Sequence, residues 1–391
     1  MGLIRNLIHV EIRMIRDDII LEDTTLRDGE QSPGVAFSKA TKLAIHDYLV
    51  ATGVRWIEAG IPAMGGEELE TLKAMIARGS DATLVAWNRG VREDIALSLD
   101  IGFKAIHIGL PTSNVHLKES IGKDRSWLLE QAKNLIKYAK DRGAFVSISA
   151  EDVGRTEIPF LQEYACAVAE SGADRLRLSD TIGILTPEAY AERVQSVVKV
   201  SSIDVQCHTH NDFGLAVANT LTGLQAGARY FHVTVNAIGE RAGMPDLAQT
   251  TLALKKLYGK DLGIDTSRLY QLSRIVASAS KQKIAPWQPI VGDNVFAHES
   301  GIHVKGMLKN DKTFEPFLPE EVGGQRKYII GKHSGRTLLH HVLREQGVIV
   351  DETKLGYCLD EVRTLAIQQG GSVSPEELRD IYFRILEEKV A

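Results

Sequence analysis

Eight short β-rich segments alternate with amphipathic helical stretches between residues 18 and 236, and this alternation is what most limits the fold. The strand candidates read DIILEDT, VRWIEAG, TLVAW, AIHIGL, FVSISAED, RLRLSDT, DVQCHTH and YFHVTVN. Between them, Leu128, Ala132, Leu135, Ile136 and Ala139 share one helix face, and Gly143 stops that helix. Tyr190, Val194, Val197 and Val198 do the same behind Thr186 as N-cap and Pro187 at the first helical position. Eight such units make a (β/α)8 barrel, with a doubly wound open sheet as the competing architecture. The position of the polar residues favours the barrel. Arg27 and Asp28, Glu58, Trp87 and Arg89, Ser149 and Glu151, Asp180 and Thr181, His208 and His210, and Asn236 all stand at the C-terminal ends of their strands. A closed barrel brings those ends to one face, where active sites form, whereas an open sheet spreads them along an edge.

The predicted architecture is therefore α/β: a TIM barrel over residues 18–280, preceded by an extension at 1–17 and followed by a smaller, mainly helical subdomain at 281–391. Pro286, Pro289, Pro316 and Pro319, interleaved with glycines, make the start of that last region read as an extended linker before two or three helices. It carries His298, His303 and His333. A formal net charge of -5 leaves no basic excess for a dedicated nucleic-acid binder. Cys166, Cys207 and Cys358 are widely separated and form neither a disulfide framework nor a CxxC site, so a reducing, cytoplasmic setting is expected. The N-terminus lacks an uninterrupted apolar run, and no stretch reaches the ~20 residues of a membrane span. No Walker A motif and no GxGxxG after a strand is present, which leaves nucleotide hydrolysis and a Rossmann dinucleotide site unsupported.

The chemistry gathers on a few positions. In HTHND, strand alternation puts His208 and His210 on the same side, which suits two imidazoles on one divalent cation. Packed or solvated histidines are the bland alternative. Asp28, at the end of the first strand and near the seventh around the ring, adds a carboxylate to make a two-histidine, one-carboxylate set with open positions. Arg27 beside it either neutralises acidic neighbours or stabilises an oxyanion on a bound carbonyl. Gln31 can hydrogen-bond a carboxylate or carbonyl oxygen, and Gly29 permits the turn. Glu151, Asp180 and Thr181 are rim candidates, each about as easily read as a satisfied polar residue. NAIGERAG, Asn236 to Gly243, reads as a glycine-rich loop, which alone is a weak phosphate signal.

Taken together, DTTLRDGEQ, HTHNDFGLAVANTLTGLQAGA, NAIGERAG and FAHESGIHVKG resemble the signatures of the 2-isopropylmalate, homocitrate and citramalate synthase family, over about residues 19 to 340. The resemblance implies a TIM barrel with a helical subdomain, a homodimer exchanging that subdomain, and condensation of acetyl-CoA with a 2-oxo acid followed by thioester hydrolysis. It implies a divalent metal (Mg, Mn or Zn) on Asp28, His208 and His210, with Arg27 stabilising enolate or alkoxide oxygen. Gln31, Ser149, Glu151 and Thr181 fall on substrate-pocket positions. His303 falls on a histidine implicated in proton transfer and supplied by the partner subunit, with Glu151 orienting it or sharing the proton.

Too little chain follows the helical subdomain for a leucine-sensing domain, which favours a homocitrate synthase or a related short member. Trp87 and DGEQSPGVAFS look like the homocitrate synthases of nitrogen fixation, and 2-oxoglutarate is the expected acceptor. 2-Oxoisovalerate and pyruvate are the alternatives. Arg89, Lys118 and Arg155 are the candidates for a distal carboxylate. Two departures stand out: Met244 where many relatives carry asparagine near the metal, and Phe314 where tyrosine is common. A metal-dependent C–C lyase and a non-catalytic regulatory barrel are the readings from other classes.

Overall fold

The structure, a computed structural model, describes residues 14–387. The expected N-terminal extension lies outside the described residues as far as residue 13. Eight parallel strands close on themselves in sequence order: β1 (Ile20–Asp23), β2 (Trp56–Gly60), β3 (Thr83–Arg89), β4 (Ala105–Gly109), β5 (Phe145–Glu151), β6 (Arg175–Asp180), β7 (Asp204–Thr209) and β8 (Tyr230–Val233). Closure is made by β1 against β8, with Ile20 opposite Tyr230 and Asp23 opposite Val233. The helices that follow the strands are α1 (Lys39–Thr52), α2 (Gly66–Ala77), α3 (Arg92–Asp100), α4 (Arg125–Asp141), α5 (Ile158–Glu170), α6 (Pro187–Val198), α7 (Ala216–Gln225) and α8 (Leu247–Leu257). The predicted barrel is the observed one, and all eight strand segments fall where the alternation placed them.

Local rules explain the elements. On α4, the five residues of the predicted face are all buried, and Asp124 caps the helix by accepting from Trp127 N at 2.8 Å. On α6, Thr186 accepts from Ala189 N at 3.3 Å, with Pro187 at the first position. Along the strands, Ile57, Ile106, Ile108, Val146, Ile148, Leu176, Leu178, Val205 and Phe231 are fully buried on the side facing the helix layer.

The other side of the strands is unusual. Barrel interiors are commonly filled by Val, Ile and Leu. Here the interior positions carry Glu22, Glu58, His107, Ser147, Arg175, Arg177, Gln206 and His232, all sealed from solvent. Charges in such a place are tolerable only when paired. Arg175 donates to Glu22 Oε2 at 2.5 Å, and Arg177 to Glu58 Oε1 at 2.6 Å. At the N-terminal end, the Arg175 guanidinium lies 4.7 Å from the Tyr230 ring centre and 5.5 Å from those of Trp56 and Phe145. The floor of the barrel is thus a cation enclosed by aromatic faces.

After α8 come α9 (Leu269–Ser280) and then a second compact unit made of Ile284–Ala391 with Ser267–Tyr270. It holds β9 (Ala297–His298) paired in parallel with β10 (Lys327–Tyr328), a short α10 (Gly301–Met307), and α11 (Arg336–Glu345), α12 (Leu355–Gln369) and α13 (Pro375–Glu387). The last three helices enclose Leu338, Leu339, Leu343, Cys358, Val362, Leu378 and Tyr382. The stretch expected to be an extended linker is instead structured. Besides α10 and β9 it forms one-turn helices at Asp311–Thr313 and Pro319–Val322. The reason is a buried charge cluster. Glu315 accepts from Arg326 Nη2 at 2.5 Å and lies 3.2 Å from His298 Nε2, tying distant parts of the segment together.

Candidate active site

DTTLRDGEQ leaves β1 as a self-wired turn. Asp23 accepts from Thr25 N and Thr25 Oγ1, both at 2.9 Å. Thr24 O accepts from Arg27 N at 3.1 Å and Gly29 N at 3.0 Å, and Gly29–Gln31 makes one helical turn. This aims Arg27, Asp28 and Gln31 into the barrel mouth. Arg27 donates through Nε to Glu58 Oε2 at 2.5 Å, and through Nη1 to Asp28 Oδ2 at 2.9 Å and Gln31 Oε1 at 3.1 Å. Its guanidinium carbon stands 6.0 Å from the Trp87 ring centre.

From β7, His208 and His210 meet Asp28. Their ligand atoms all lie within 4.8 Å of one another, and all three residues are buried. His208 Nε2 is 3.3 Å from His210 Nε2 and 3.7 Å from Asp28 Oδ2. Among the described residues, Asp28 Oδ1 is buried without any hydrogen-bond donor. Facing imidazole nitrogens beside an orphaned carboxylate oxygen fit a divalent cation, which would satisfy that oxygen. Burial, together with the nearby His232 and His210, holds the His208 ring well below the usual imidazole range, so it is neutral and able to ligate.

These residues open on a cavity of about 180 Å³ lined by Arg27, Asp28, Gln31, Trp87, His107, Glu151, Arg177, Ser179, Thr181, His208, His210 and Glu240. Burial pushes the Glu151 carboxyl above the ordinary glutamate range, against the lowering effect of Ser149 and Arg27. Ser149 Oγ donates to Glu151 Oε1 at 3.3 Å, and Thr181 Oγ1 accepts from Asp152 N at 2.8 Å. Gly109 leaves the space that the Trp87 and Glu151 side chains fill. A Cβ on it would lie 2.7 Å from Trp87 Cζ2 and 2.9 Å from Glu151 Oε1.

Of the predicted residues, Arg27, Asp28, Gln31, Trp87, Glu151, Thr181, His208 and His210 line one cavity, and Ser149 reaches it through Glu151. Arg89 and Lys118, expected at a distal carboxylate, do not line it. The Arg89 side chain is 65% exposed and is drawn outward by Asp94 in the first turn of α3, at 2.7 Å. Lys118 is 82% exposed beside Glu119. Arg155 is likewise absent from the lining and is held by Asp152 Oδ2 at 2.8 Å. The glycine-rich loop is packed rather than open: a Cβ on Gly243, at φ 89°, would lie 1.8 Å from Ala237 O. Gly239 exchanges hydrogen bonds with Ser32. Met244 is fully buried. His303 stacks on Phe314 in the second unit, with ring centres 4.2 Å apart. Sequence reasoning missed His107, Arg177, Ser179 and Glu240 in the lining. The first two stand in mid-strand, at positions with the same parity as the interior residues of β4 and β6, and that parity is the signal that could have found them.

Residues 18–276 match the HMGL-like family, and residues 290–370 match the homocitrate synthase post-HMGL domain-like family. The chain is 64% identical to the 2-phosphonomethylmalate synthase of Streptomyces rubellomurinus, over 94% of this chain and 99% of that protein. It is 44% identical to 2-isopropylmalate synthase 2 of Caldanaerobacter subterraneus subsp. tengcongensis, over 93% and 95% of the two chains. Identity to homocitrate synthase 1 of a Nostoc species is 43%, over 93% and 96%. Among solved structures, hydroxymethylglutaryl-CoA lyase from Pseudomonas aeruginosa superposes with a TM-score of 0.62 at 20% identity, covering 69% of this chain and 95% of that one, a likeness of fold. The chain belongs to the HMGL-like family and, within it, to the condensing synthases whose barrel is followed by a homocitrate synthase post-HMGL domain.

Proposed function

We propose that this enzyme condenses acetyl-CoA with 3-phosphonopyruvate and water to give 2-phosphonomethylmalate and free CoA. The observation that carries the choice of acceptor is the 64% identity to a 2-phosphonomethylmalate synthase across nearly its whole length, against 43–44% for relatives named for other acceptors. Cutting the bond to the acetyl unit in that product leaves a 2-oxo acid with a phosphonate on its third carbon.

A divalent ion, when bound, would be held by Asp28, His208 and His210 and would supply Lewis acidity toward the 2-oxo acid. The chain's own groups do the rest. Arg27, fixed by Glu58 and Gln31, presents guanidinium N–H groups to the oxygen that gains negative charge. His303, presented by a second copy of the chain, is the proposed base for the acetyl methyl, and Glu151 shares the proton. The methyl carbanion attacks the keto carbon, and water then cleaves the thioester to release the thiol. His107 suits an anionic acceptor. Ser147 Oγ accepts from Arg175 Nε at 3.0 Å, which frees its own proton for His107 Nδ1 at 2.9 Å. The ring proton then sits on Nε2, which has no partner among the described residues, on a ring that lines the cavity.

The test is thiol release from acetyl-CoA with Mg or Mn, across 3-phosphonopyruvate, 2-oxoglutarate, 2-oxoisovalerate, pyruvate, oxaloacetate and glyoxylate. The phosphonate acid should give the highest kcat/KM. A preference for 2-oxoglutarate would return the chain to homocitrate synthesis, the second reading, which rests on Trp87, the DGEQSPGVAFS stretch and the 43% identity to a homocitrate synthase. Silence on every acid would reject the condensing activity.

A further inference from the structure

Below the three candidate ligands runs a buried chain of hydrogen bonds that the reaction itself does not use. Glu22 on β1 lies 3.0 Å through Oε1 from His232 Nε2 on β8. His232 Nδ1 lies 2.8 Å from His208 Nδ1 on β7. All three side chains are buried. Two ring nitrogens at 2.8 Å require a proton on one of them, and the rest of the network decides which.

Glu22 Oε2 accepts from Arg175 Nη1 at 2.5 Å, so the carboxylate is an acceptor already held by a cation. Its other oxygen faces His232 Nε2, and two lone pairs at 3.0 Å repel. His232 therefore carries its proton on Nε2 and a lone pair on Nδ1. That lone pair accepts from His208 Nδ1–H. His208 is left with its lone pair on Nε2, the atom turned toward Asp28 and His210. The opposite arrangement has His232 Nε2 accept the second N–H of Arg177 Nη2 at a longer 3.3 Å, and it leaves the ring lone pair facing Glu22 Oε1 at 3.0 Å. A second proton on His232 is not called for either, because the carboxylates of Glu22, Glu58 and Asp28 are matched by the guanidiniums of Arg27, Arg175 and Arg177. Glu22, Glu58 and His232 are close enough together to suggest a second cation site. Arg175 and Arg177 already occupy both carboxylates and neutralise the charge a cation would need.

We propose that Glu22 and His232 are positioning residues that hold His208 as its Nδ1–H tautomer, so that Nε2 is presented to the divalent cation. The inference rests on the metal reading above and adds to it a partner that acts from beneath. Groups that orient a ligating histidine typically change metal affinity by about 10–100-fold.

Two measurements test it. Long-range proton–nitrogen spectra of the metal-free protein, labelled at histidine nitrogen and assigned through His208→Gln, should show His208 protonated at Nδ1. An Nε2–H signal for His208 would overturn the proposal, and this measurement needs no His232 variant. Cobalt(II) affinity, read by competition with a fluorescent chelator, should fall by about 10–100-fold in His232→Leu. It should be largely restored in His232→Asn, whose amide oxygen can accept in place of Nδ1. Equal weakening in both variants would reduce His232 to a packing role and refute the proposal, as would a folded His232→Leu with unchanged affinity. Wild-type protein that shows His208 Nδ1–H but binds no cobalt would sustain the tautomer and overturn the metal assignment.

Discussion

Gly109 gives the sharpest test of how the cavity is built. Its backbone does not need glycine for a positive φ, so Gly109→Ala isolates the volume of one methyl group. The added carbon would meet Trp87 Cζ2 at 2.7 Å and Glu151 Oε1 at 2.9 Å. Two carbons rest comfortably at about 3.5 Å, so the indole must yield by about 0.8 Å. The carboxylate must yield by somewhat less. Overpacking of this kind costs roughly 1–3 kcal/mol, read as a lowered Tm. Misplacing a reacting group by about 1 Å costs about 100-fold in rate, so kcat should fall by roughly 10–100-fold while the fold survives. The assay is thiol release at saturating acceptor, with a melting curve on the same sample. Gly356→Ala in α12 is the control. Among the described residues nothing stands within 4 Å of its added carbon, and alanine is favoured over glycine in a helix by up to about 1 kcal/mol, so Tm should hold or rise and kcat stay put. If Gly109→Ala kept full kcat, Glu151 would not depend on the wall formed by Gly109 and Trp87, and the geometric case for its role would fail.

Arg27→Lys keeps the charge but cannot span Glu58, Asp28 and Gln31 together, so kcat should drop by about 100- to 1,000-fold, measured with metal binding checked separately. Glu151 has its folded pKa raised by burial, so its ionisation costs stability as pH climbs out of the unfolded carboxylate range and through the folded value. Glu151→Gln should therefore raise Tm at pH 8, lose that advantage by pH 4, and lower kcat; an equal Tm difference at both pH values would refute the burial argument. Manganese at a hundredfold excess over its Kd should stabilise the wild type by about 2.7 kcal/mol. In Asp28→Ala both that increment and the activity should vanish, and a retained increment would place the ion elsewhere.

How much of this was legible in the sequence follows from where each residue stands on its strand. A polar group at or just beyond the end of an apolar strand is conspicuous, and Asp28, Glu151, Thr181, His208 and His210 all stand in such places. RLRLSD hides more. Arg175 and Arg177 alternating with leucine read equally well as the solvated face of an edge strand, and only closure of the barrel turns that face inward. The partners that make such burial tolerable, Glu22 and Glu58, come from other strands. Nothing local in either segment announces the pairing. One of the expected cations is misplaced by a partner close in sequence. Arg89 has the interior parity of β3, but Asp94 five residues later captures its guanidinium and turns it to solvent.

Parity says which way a side chain starts, and the neighbours decide where its charge finishes. In this barrel that logic runs from floor to mouth. Arg175 fixes Glu22, Glu22 fixes His232, and His232 sets the face His208 shows to the cation site. Arg177 fixes Glu58, Glu58 fixes Arg27, and Arg27 reaches Asp28. Two chains of charge rise from the interior and meet at the candidate metal ligands. A polar interior, costly as packing, is therefore explained as the support that keeps those ligands in place.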